Sequence, residues 1–463
     1  MQPEKDSTSL QRFTLLMVLI NAFTTPLMLS AVNVALPTLA DDLSMSAIQL
    51  SWVPMAYLMA SAMFVLIFGR IADMFGRKRI FLFGTGFVIV SSILAACSIN
   101  ADMMIICRFL QGISAAMLYA TQVAIVSSAY SPAKRGQVIG FVISMIYLGL
   151  TIGPLIGGYV VDAFGWRIAF LIHIPLAVIA TIIGFLLIKE DWKSDDKGSI
   201  DLFGTMMYSI SIMLLCVSVS SMPATYAFII LVIAILGFAL FVGFENKHKH
   251  PILDVSLFFN NRILTFSCIA SLIIYTATFA NVVQISLYLQ YLKGLSATAA
   301  GMVMLCQPLT MAIFSPLSGR LSDKFEPSQL ASAGMVASGI GLLMLSQLHE
   351  TSSLTYLIVA LIITGFGFGL FSSPNVNAIM SSVDKQQLGR ANGIVAIMRI
   401  LGQMSSMMLV TLVFAMLIGS NAITPEKYVH LETAIRTIFT IAACLCVPGL
   451  YFSLARGKLR EAS

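Results

Sequence analysis

One apolar stretch, residues 103–128, carries Arg108, Gln111, Tyr119 and Gln122. With Ala115 between them, they fall three, four, four and three residues apart, on one face of a helix. A second apolar stretch carries Asn281, Gln284, Tyr288 and Tyr291 at spacings of three, four and three. Arg399 lies about ten residues into a third stretch, with Asn392 and Gln403 on its face. Asn33 is a lone amide in a fourth. Guanidinium, amide and phenol groups bind solutes through charge and hydrogen bonds. An Arg in a membrane helix costs at least ~2.5–3.5 kcal/mol, so it should face protein or water. Taken singly, each polar residue fits a helix–helix hydrogen bond. Together they predict a central cavity lined by amides, phenols and Met, with two guanidiniums. His173 adds a ring that can change charge near neutral pH.

The elements that must hold these groups follow from composition. The 463-residue chain is 58% hydrophobic and only 10% charged, with a mean hydropathy of +0.92. Lipid is the expected solvent for such a chain. Fourteen apolar segments are long enough to cross a bilayer as helices: 13–36, 47–69, 80–99, 103–128, 137–160, 168–188, 202–220, 224–243, 264–290, 297–318, 329–347, 354–376, 389–418 and 433–455. They are numbered helices 1–14. The first is too long for a signal-peptide core and reads as an uncleaved span. Arg167, Lys293, Lys427 and Arg436 fall on one side of this arrangement, and nearly all other Lys and Arg on the other. That bias predicts cytoplasmic N- and C-termini. The net charge of +6 therefore belongs to membrane-flanking loops and does not indicate nucleic acid. The seven Cys form no Cys-x-x-Cys pair and read as small core residues.

The loop after helix 2, GRIADMFGRKR, and the loop after helix 10, GRLSDKFEP, share offsets: Gly69, Arg70 and Asp73 against Gly319, Arg320 and Asp323. Matched loops imply two related halves. The expected organisation is a six-helix bundle over 1–188, charged linkers with two inserted helices over 189–262, and a second six-helix bundle over 263–463. In helix 5, Gly149, Gly153 and Gly157 share a face that lets a neighbour approach closely. Pro154 beside them removes a backbone hydrogen bond and favours a bend.

These motifs resemble the major facilitator superfamily, and more narrowly its fourteen-helix drug:proton antiporters. Gly69, Asp73, Gly76, Arg77, Lys78 and Arg79 match the superfamily's loop after helix 2. QLSWVPMAYLMASAM and VNVALP resemble helices 2 and 1 of the antiporters. Gly149, Gly153, Pro154, Gly157 and Gly158 resemble the exporters' helix-5 motif, and Arg108, Gln111 and Gly112 the helix-4 motif associated with proton coupling. The resemblance implies an all-α major facilitator fold, alternating access, and multidrug-type efflux by proton antiport. It makes Gly69, Asp73, Gly76, Arg77, Gly149, Gly153, Pro154, Gly157, Gly158, Arg320 and Asp323 gating or conformational residues. Asp73, at the end of helix 2, is expected to meet a neighbouring helix N-terminus and nearby Arg side chains.

The chain departs from the pattern where those antiporters carry a helix-1 Asp: it has Met28. None of its 21 acids lies near mid-membrane. Two interior Arg without an interior acid favour anionic, zwitterionic or neutral amphiphiles. Arg108 and His173 are the coupling candidates, with Asp102 and Asp162 at outer helix ends behind them. A dedicated exporter of an anionic or lipid-like metabolite is the alternative, and a non-transporting sensor or scaffold a further one. Hydrolase, metalloprotease and nucleotide-binding motifs are absent from the sequence, which is read as no enzyme, without cofactor or metal. The expected partners are a small-molecule substrate, a proton and the lipid bilayer, with the chain as a monomer.

Overall fold

The computed structural model describes residues 3–193, 201–246, 255–322, 324–384, 387–457 and 459. The described residues form helices and connecting turns, without strands. Fourteen helical stretches are long and apolar enough to span a bilayer: Ser9–Asp42, Ala47–Phe75, Arg77–Ala96, Ala101–Ala129, Lys134–Phe164, Trp166–Leu187, Leu202–Ser220, Thr225–Glu245, Arg262–Leu292, Ala297–Ser322, Pro327–Leu345, Leu354–Ser381, Arg390–Leu417 and Pro425–Ala455. They take the numbers 1–14 already given. Fourteen crossings return the chain to its starting side. That side is called the Asp73 end, and the opposite side the Asp42 end.

Short polar residues start many of these helices. Ser46 and Gln49 form a capping box on helix 2, and Asn100 accepts from the Met103 amide on helix 4. Asn261 and Ser296 cap helices 9 and 10 in the same way. Ser and Thr inside the spans, such as Ser61, Thr85 and Thr121, donate to carbonyls one turn back, so their hydroxyls need no water. Outward-facing residues are large and apolar: on helix 8, Phe228, Ile229, Val232, Leu236 and Leu240 are all exposed. This is the lipid-facing pattern of a membrane protein, where exposure and polarity are uncoupled.

Helix 5 shows what its glycines are for. A Cβ at Gly149 would strike the Phe23 carbonyl, at Gly153 the Ser30 side chain, and at Gly157 the Ala31 backbone. Helices 1 and 5 thus touch through their backbones. Pro154 does not break the helix, which runs continuously from Pro132 to Phe164. Its missing N–H frees the Leu150 carbonyl, which accepts from Ser30 Oγ at 3.4 Å. Helix 6 does break: a short turn, Trp166–Ala169, is followed by a new helix from Ile174, with Pro175 in its first turn. Helices 7 and 8 pair with each other, and Ser209 of helix 7 donates to the Met63 carbonyl of helix 2.

Candidate functional site

Helices 1–6 and 9–14 meet most closely at the Asp42 end. The Gln290 amide donates to the Val34 carbonyl at 2.9 Å, and Tyr291 Oη reaches the Pro37 carbonyl and Asp41 at 3.2 and 3.0 Å. The Ala47 amide donates to the Asn421 carbonyl at 2.9 Å, and Ser51 Oγ lies 2.9 Å from Thr411 Oγ1. Asp162, in the last turn of helix 5, accepts from the Ala297 and Thr298 amides at 3.1 and 2.8 Å and from the Thr298 hydroxyl. A Cβ at Gly158 would strike the Ala297 carbonyl, and one at Gly301 the Pro154 carbonyl. Towards mid-height, Tyr147 Oη lies 3.4 Å from Ser372 Oγ. Nearer the Asp73 end, a Cβ at Gly69, Gly136, Gly140 or Gly393 would meet nothing within 4 Å.

Arg108 does not open onto a solute path in this conformation. It is fully buried, with Nε donating to the Val53 carbonyl at 3.0 Å and Nη1 to Gln111 Oε1 at 2.7 Å. Its guanidinium stacks 4.7 Å from the Tyr57 ring and 6.0 Å from Phe170, which the break in helix 6 brings inward. Gln111 Nε2 passes the chain on to Ser92 Oγ at 2.8 Å, and Ser92 Oγ lies 3.2 Å from His173 Nε2. The sequence-derived coupling candidates Arg108 and His173 are therefore joined through Gln111 and Ser92. Met28 Sδ sits 3.7 Å from Gln111 Nε2, at the edge of this chain. Ser92 carried no sequence signal, because a Ser in an apolar helix is read as filler.

Arg399 sits differently. It is half-buried on helix 13, within electrostatic reach of the Tyr119 and Tyr275 phenols. Tyr119 Oη is 3.1 Å from Oη of Tyr57, the ring stacked on Arg108. Gln403 and Asn392 are half-buried, and Gln122 is buried. Asn33, Asn281 and Gln284 are buried in the region where helices 1 and 9 touch, and both side-chain polar atoms of Gln284 lack a partner among the described residues. Tyr288 points elsewhere, donating to the His349 carbonyl at 2.7 Å. Two pockets of about 240 and 260 Å³ lie apart from these residues, beside Asp41 and between helices 7 and 8.

The loop after helix 2 has the expected Asp73–Arg pairing, but not the expected helix N-terminus against Asp73. Asp73 pairs with Arg77 at 2.8 Å, and Arg77 also donates to Ser128 Oγ of helix 4 at 2.6 Å. The acid at a helix N-terminus is not Asp73 but Asp191 of the linker after helix 6. Asp191 accepts from the Lys78 amide at 2.9 Å in the first turn of helix 3 and lies 3.3 Å from Arg79. The Arg77 amide donates to the Trp192 carbonyl at 2.9 Å. Gly76 has φ of 121°, and a Cβ there would strike the Asp191 carboxylate, so both backbone and space call for glycine. Sequence spacing could not find Asp191, which is 113 residues from Lys78. Asp191→Ala is expected to lower stability by about 1 kcal/mol, the usual loss of a helix cap, with Asp191→Asn retaining part of it. Equal melting temperatures for Asp191→Ala and wild type would show that the linker does not secure the loop.

Arg320 is exposed, and Asp323 lies outside the described residues. Arg456, which sequence position assigns to the loop after helix 14, is instead buried. It donates to Asn375 Oδ1 at 2.7 Å and Ser267 Oγ at 3.1 Å, tying helices 9, 12 and 14.

Comparison with known proteins agrees with this architecture. The chain is 30% identical to the riboflavin transporter RibZ of Clostridioides difficile, over 95% of this chain and 96% of that one. It is 28% identical to the multidrug resistance protein Stp of Mycobacterium tuberculosis, over 80% and 70% of the two chains. Its fold matches the crystal structure of a bacterial homologue of the human lysosomal transporter Spinster, described as inward-facing and unoccupied. That match has a TM-score of 0.71 and 14% identity, and covers 98% of this chain and 97% of the other. Residues 18–244 and 267–462 match the Major Facilitator Superfamily, and the chain belongs to that family.

Proposed function

We propose that this protein is a secondary active exporter of amphipathic small molecules, working by alternating access and proton antiport. It acts as a monomer in the cell membrane, with both termini cytoplasmic and helices 7 and 8 inserted between its six-helix halves. The observation that carries the proposal is the clasp between the halves at the Asp42 end, made by Gln290, Tyr291, Asp162 and the Gly158–Ala297 contact. A clasp that can be remade at the other end is the requirement for rocking around a mid-height site. The relationship to a multidrug resistance protein supports efflux, and that to a riboflavin transporter supports solutes beyond drugs.

The proton route that best fits the geometry runs along Arg108, Gln111, Ser92 and His173. His173 is 2% exposed, and its Nδ1 has no partner among the described residues. Arg108 is the charged member of this chain, and the Tyr57 ring stacks on it. In inverted vesicles with imposed pH and charge gradients, dye movement is expected to follow the pH gradient and to stop when it is collapsed. His173→Asn keeps a hydrogen-bonding group beside Ser92 but removes the titratable ring. It is expected to retain downhill exchange and lose most of the response to the pH gradient. An unaltered response would remove His173 from coupling, and dye movement indifferent to any ion gradient would end the antiport reading. One observation favours the second reading, a dedicated exporter of an anionic or lipid-like metabolite: Arg399 has no carboxylate beside it among the described residues.

A further inference from the structure

We infer that Arg399 is the anchor for the transported solute, and that the solute is an amphipathic organic anion whose carboxylate or sulfonate pairs with the Arg399 guanidinium between Tyr119 and Tyr275. This rests on the exporter reading and narrows it to one chemical class.

The two interior arginines are not equivalent. Arg108 is fully buried, commits Nε and Nη1 to Val53 and Gln111, and is covered by Tyr57. Arg399 is half-buried and has no hydrogen-bond or ion-pair partner among the described residues. It lies about 15 Å into helix 13 from the Asp73 end, near mid-membrane and beyond reach of lipid phosphates. A charge held there calls for a counter-charge. The acids on the spanning helices are Asp41, Asp42, Asp73, Asp102, Asp162, Glu245 and others at helix ends, none at the level of Arg399.

The neighbours complete an anion site. Gly402, one turn beyond Arg399, would place a Cβ 2.7 Å from Tyr275 Cβ, so helices 9 and 13 are close enough for the phenol to flank the guanidinium. Tyr119 approaches from the other half, and Tyr147 and Ser372 meet nearby. Phenol and Ser hydroxyls can donate to the oxygens a guanidinium leaves unpaired, and the guanidinium fork matches a carboxylate or sulfonate. The Tyr275 and Phe368 rings, 5.2 Å apart and edge to face, supply an apolar wall. Because the ligands come from both halves, an anion bound here sits where rocking changes its access.

Two dyes of one xanthene core test this: sulforhodamine B, which carries sulfonates, and rhodamine 6G, which is cationic. Equilibrium binding to purified protein and counterflow in proteoliposomes are measured for wild type, Arg399→Gln and Arg399→Lys, each checked for its melting temperature. Wild type is expected to bind sulforhodamine B at least tenfold more tightly than rhodamine 6G. Arg399→Gln should lose that preference, and Arg399→Lys should keep part of it. Tighter binding of rhodamine 6G, no binding of sulforhodamine B, or an unchanged preference in Arg399→Gln overturns the inference. Should Arg399→Gln fail to fold, loss of the preference on Arg399→Lys and on Tyr275→Phe together supports it, and retention in both overturns it. Arg399-dependent binding without counterflow supports the anion site and sinks the exporter reading. Counterflow of rhodamine 6G alone does the reverse.

Discussion

Asp162→Asn is expected to open the Asp42 end. Helix 10 begins at Ala297, and its first amides have no intrahelical carbonyl to bond. Asp162 accepts from two of them, at 3.1 and 2.8 Å, and from the Thr298 hydroxyl, so a full negative charge from one half sits on the positive end of a helix from the other. Hydrogen bonds to a charged group contribute roughly 1.5–3 kcal/mol each where they are buried. Asp162 is exposed, which reduces the figure, and about 1.5 kcal/mol for the whole contact is a fair discount. That corresponds to roughly a tenfold shift in the ratio of closed to open forms. Asparagine keeps the shape and one acceptor oxygen but no charge, so the shift reports the carboxylate.

Leu39 is fully buried on helix 1 behind this clasp and serves as the reporter. In a background lacking the seven native Cys, a Leu39→Cys variant is labelled by a membrane-impermeant maleimide. The labelling rate should rise about tenfold when Asp162→Asn is added. Acidifying the medium on that side should raise labelling in the Asp162 background and have little effect in the Asn background. If both backgrounds label at the same rate at neutral pH, Asp162 does not hold the end closed.

Most of the fold is legible in the sequence, and the contacts that build the candidate site are less so, for physical reasons. Membrane spans are legible because each must be continuous, apolar and about 20 residues long, and lipid enforces this segment by segment. The glycine face of helix 5 is legible because close backbone approach leaves a periodic trace, and Gly149, Gly153 and Gly157 all meet helix 1. Contacts made once between distant segments leave no period. Ser92 links Gln111 to His173, Asp191 caps helix 3, and Asn375 holds Arg456, and none of these shares a helix with its partner. Burial is also invisible to spacing. Arg108 and Gln111 share the face of Tyr119, yet the first two are sealed while Tyr119 is half-open, because Tyr57 from helix 2 covers only part of the row. Pro154 shows a contact of the same kind: its missing N–H leaves the Leu150 carbonyl free, and Ser30 on a neighbouring helix meets it without a break in helix 5.

The same geometry makes Met28→Asp the substitution with the largest expected change in solute choice. Met Sδ and Asp Oδ are each three bonds from Cα, so a carboxylate oxygen takes up nearly the position from which Met28 Sδ now meets Gln111 Nε2 at 3.7 Å. Gln111 is bonded to Arg108, whose Nη2 has no partner among the described residues. The new carboxylate therefore enters beside an amide donor and a guanidinium, the conditions under which a buried acid is tolerated as its anion. It also removes one unit of net positive charge from the buried cluster around Arg108, beside helix 1. A unit charge about 5 Å from a bound solute, at an effective dielectric constant near 20, contributes roughly 3 kcal/mol, on the order of a hundredfold in the preference between cation and anion, and this is the upper bound of the expected change. Wild type is expected to move rhodamine 6G poorly, and Met28→Asp to move it in a manner that depends on the pH gradient. Met28→Asn, equal in size and uncharged, should behave as wild type. The thermal stability of Met28→Asp should fall steeply when Arg108→Gln is added, because the acid then loses its counter-charge while remaining buried. A folded Met28→Asp protein that moves rhodamine 6G no faster than Met28→Asn would show that helix 1 does not set solute charge here. The departure at residue 28 would then be a matter of packing alone.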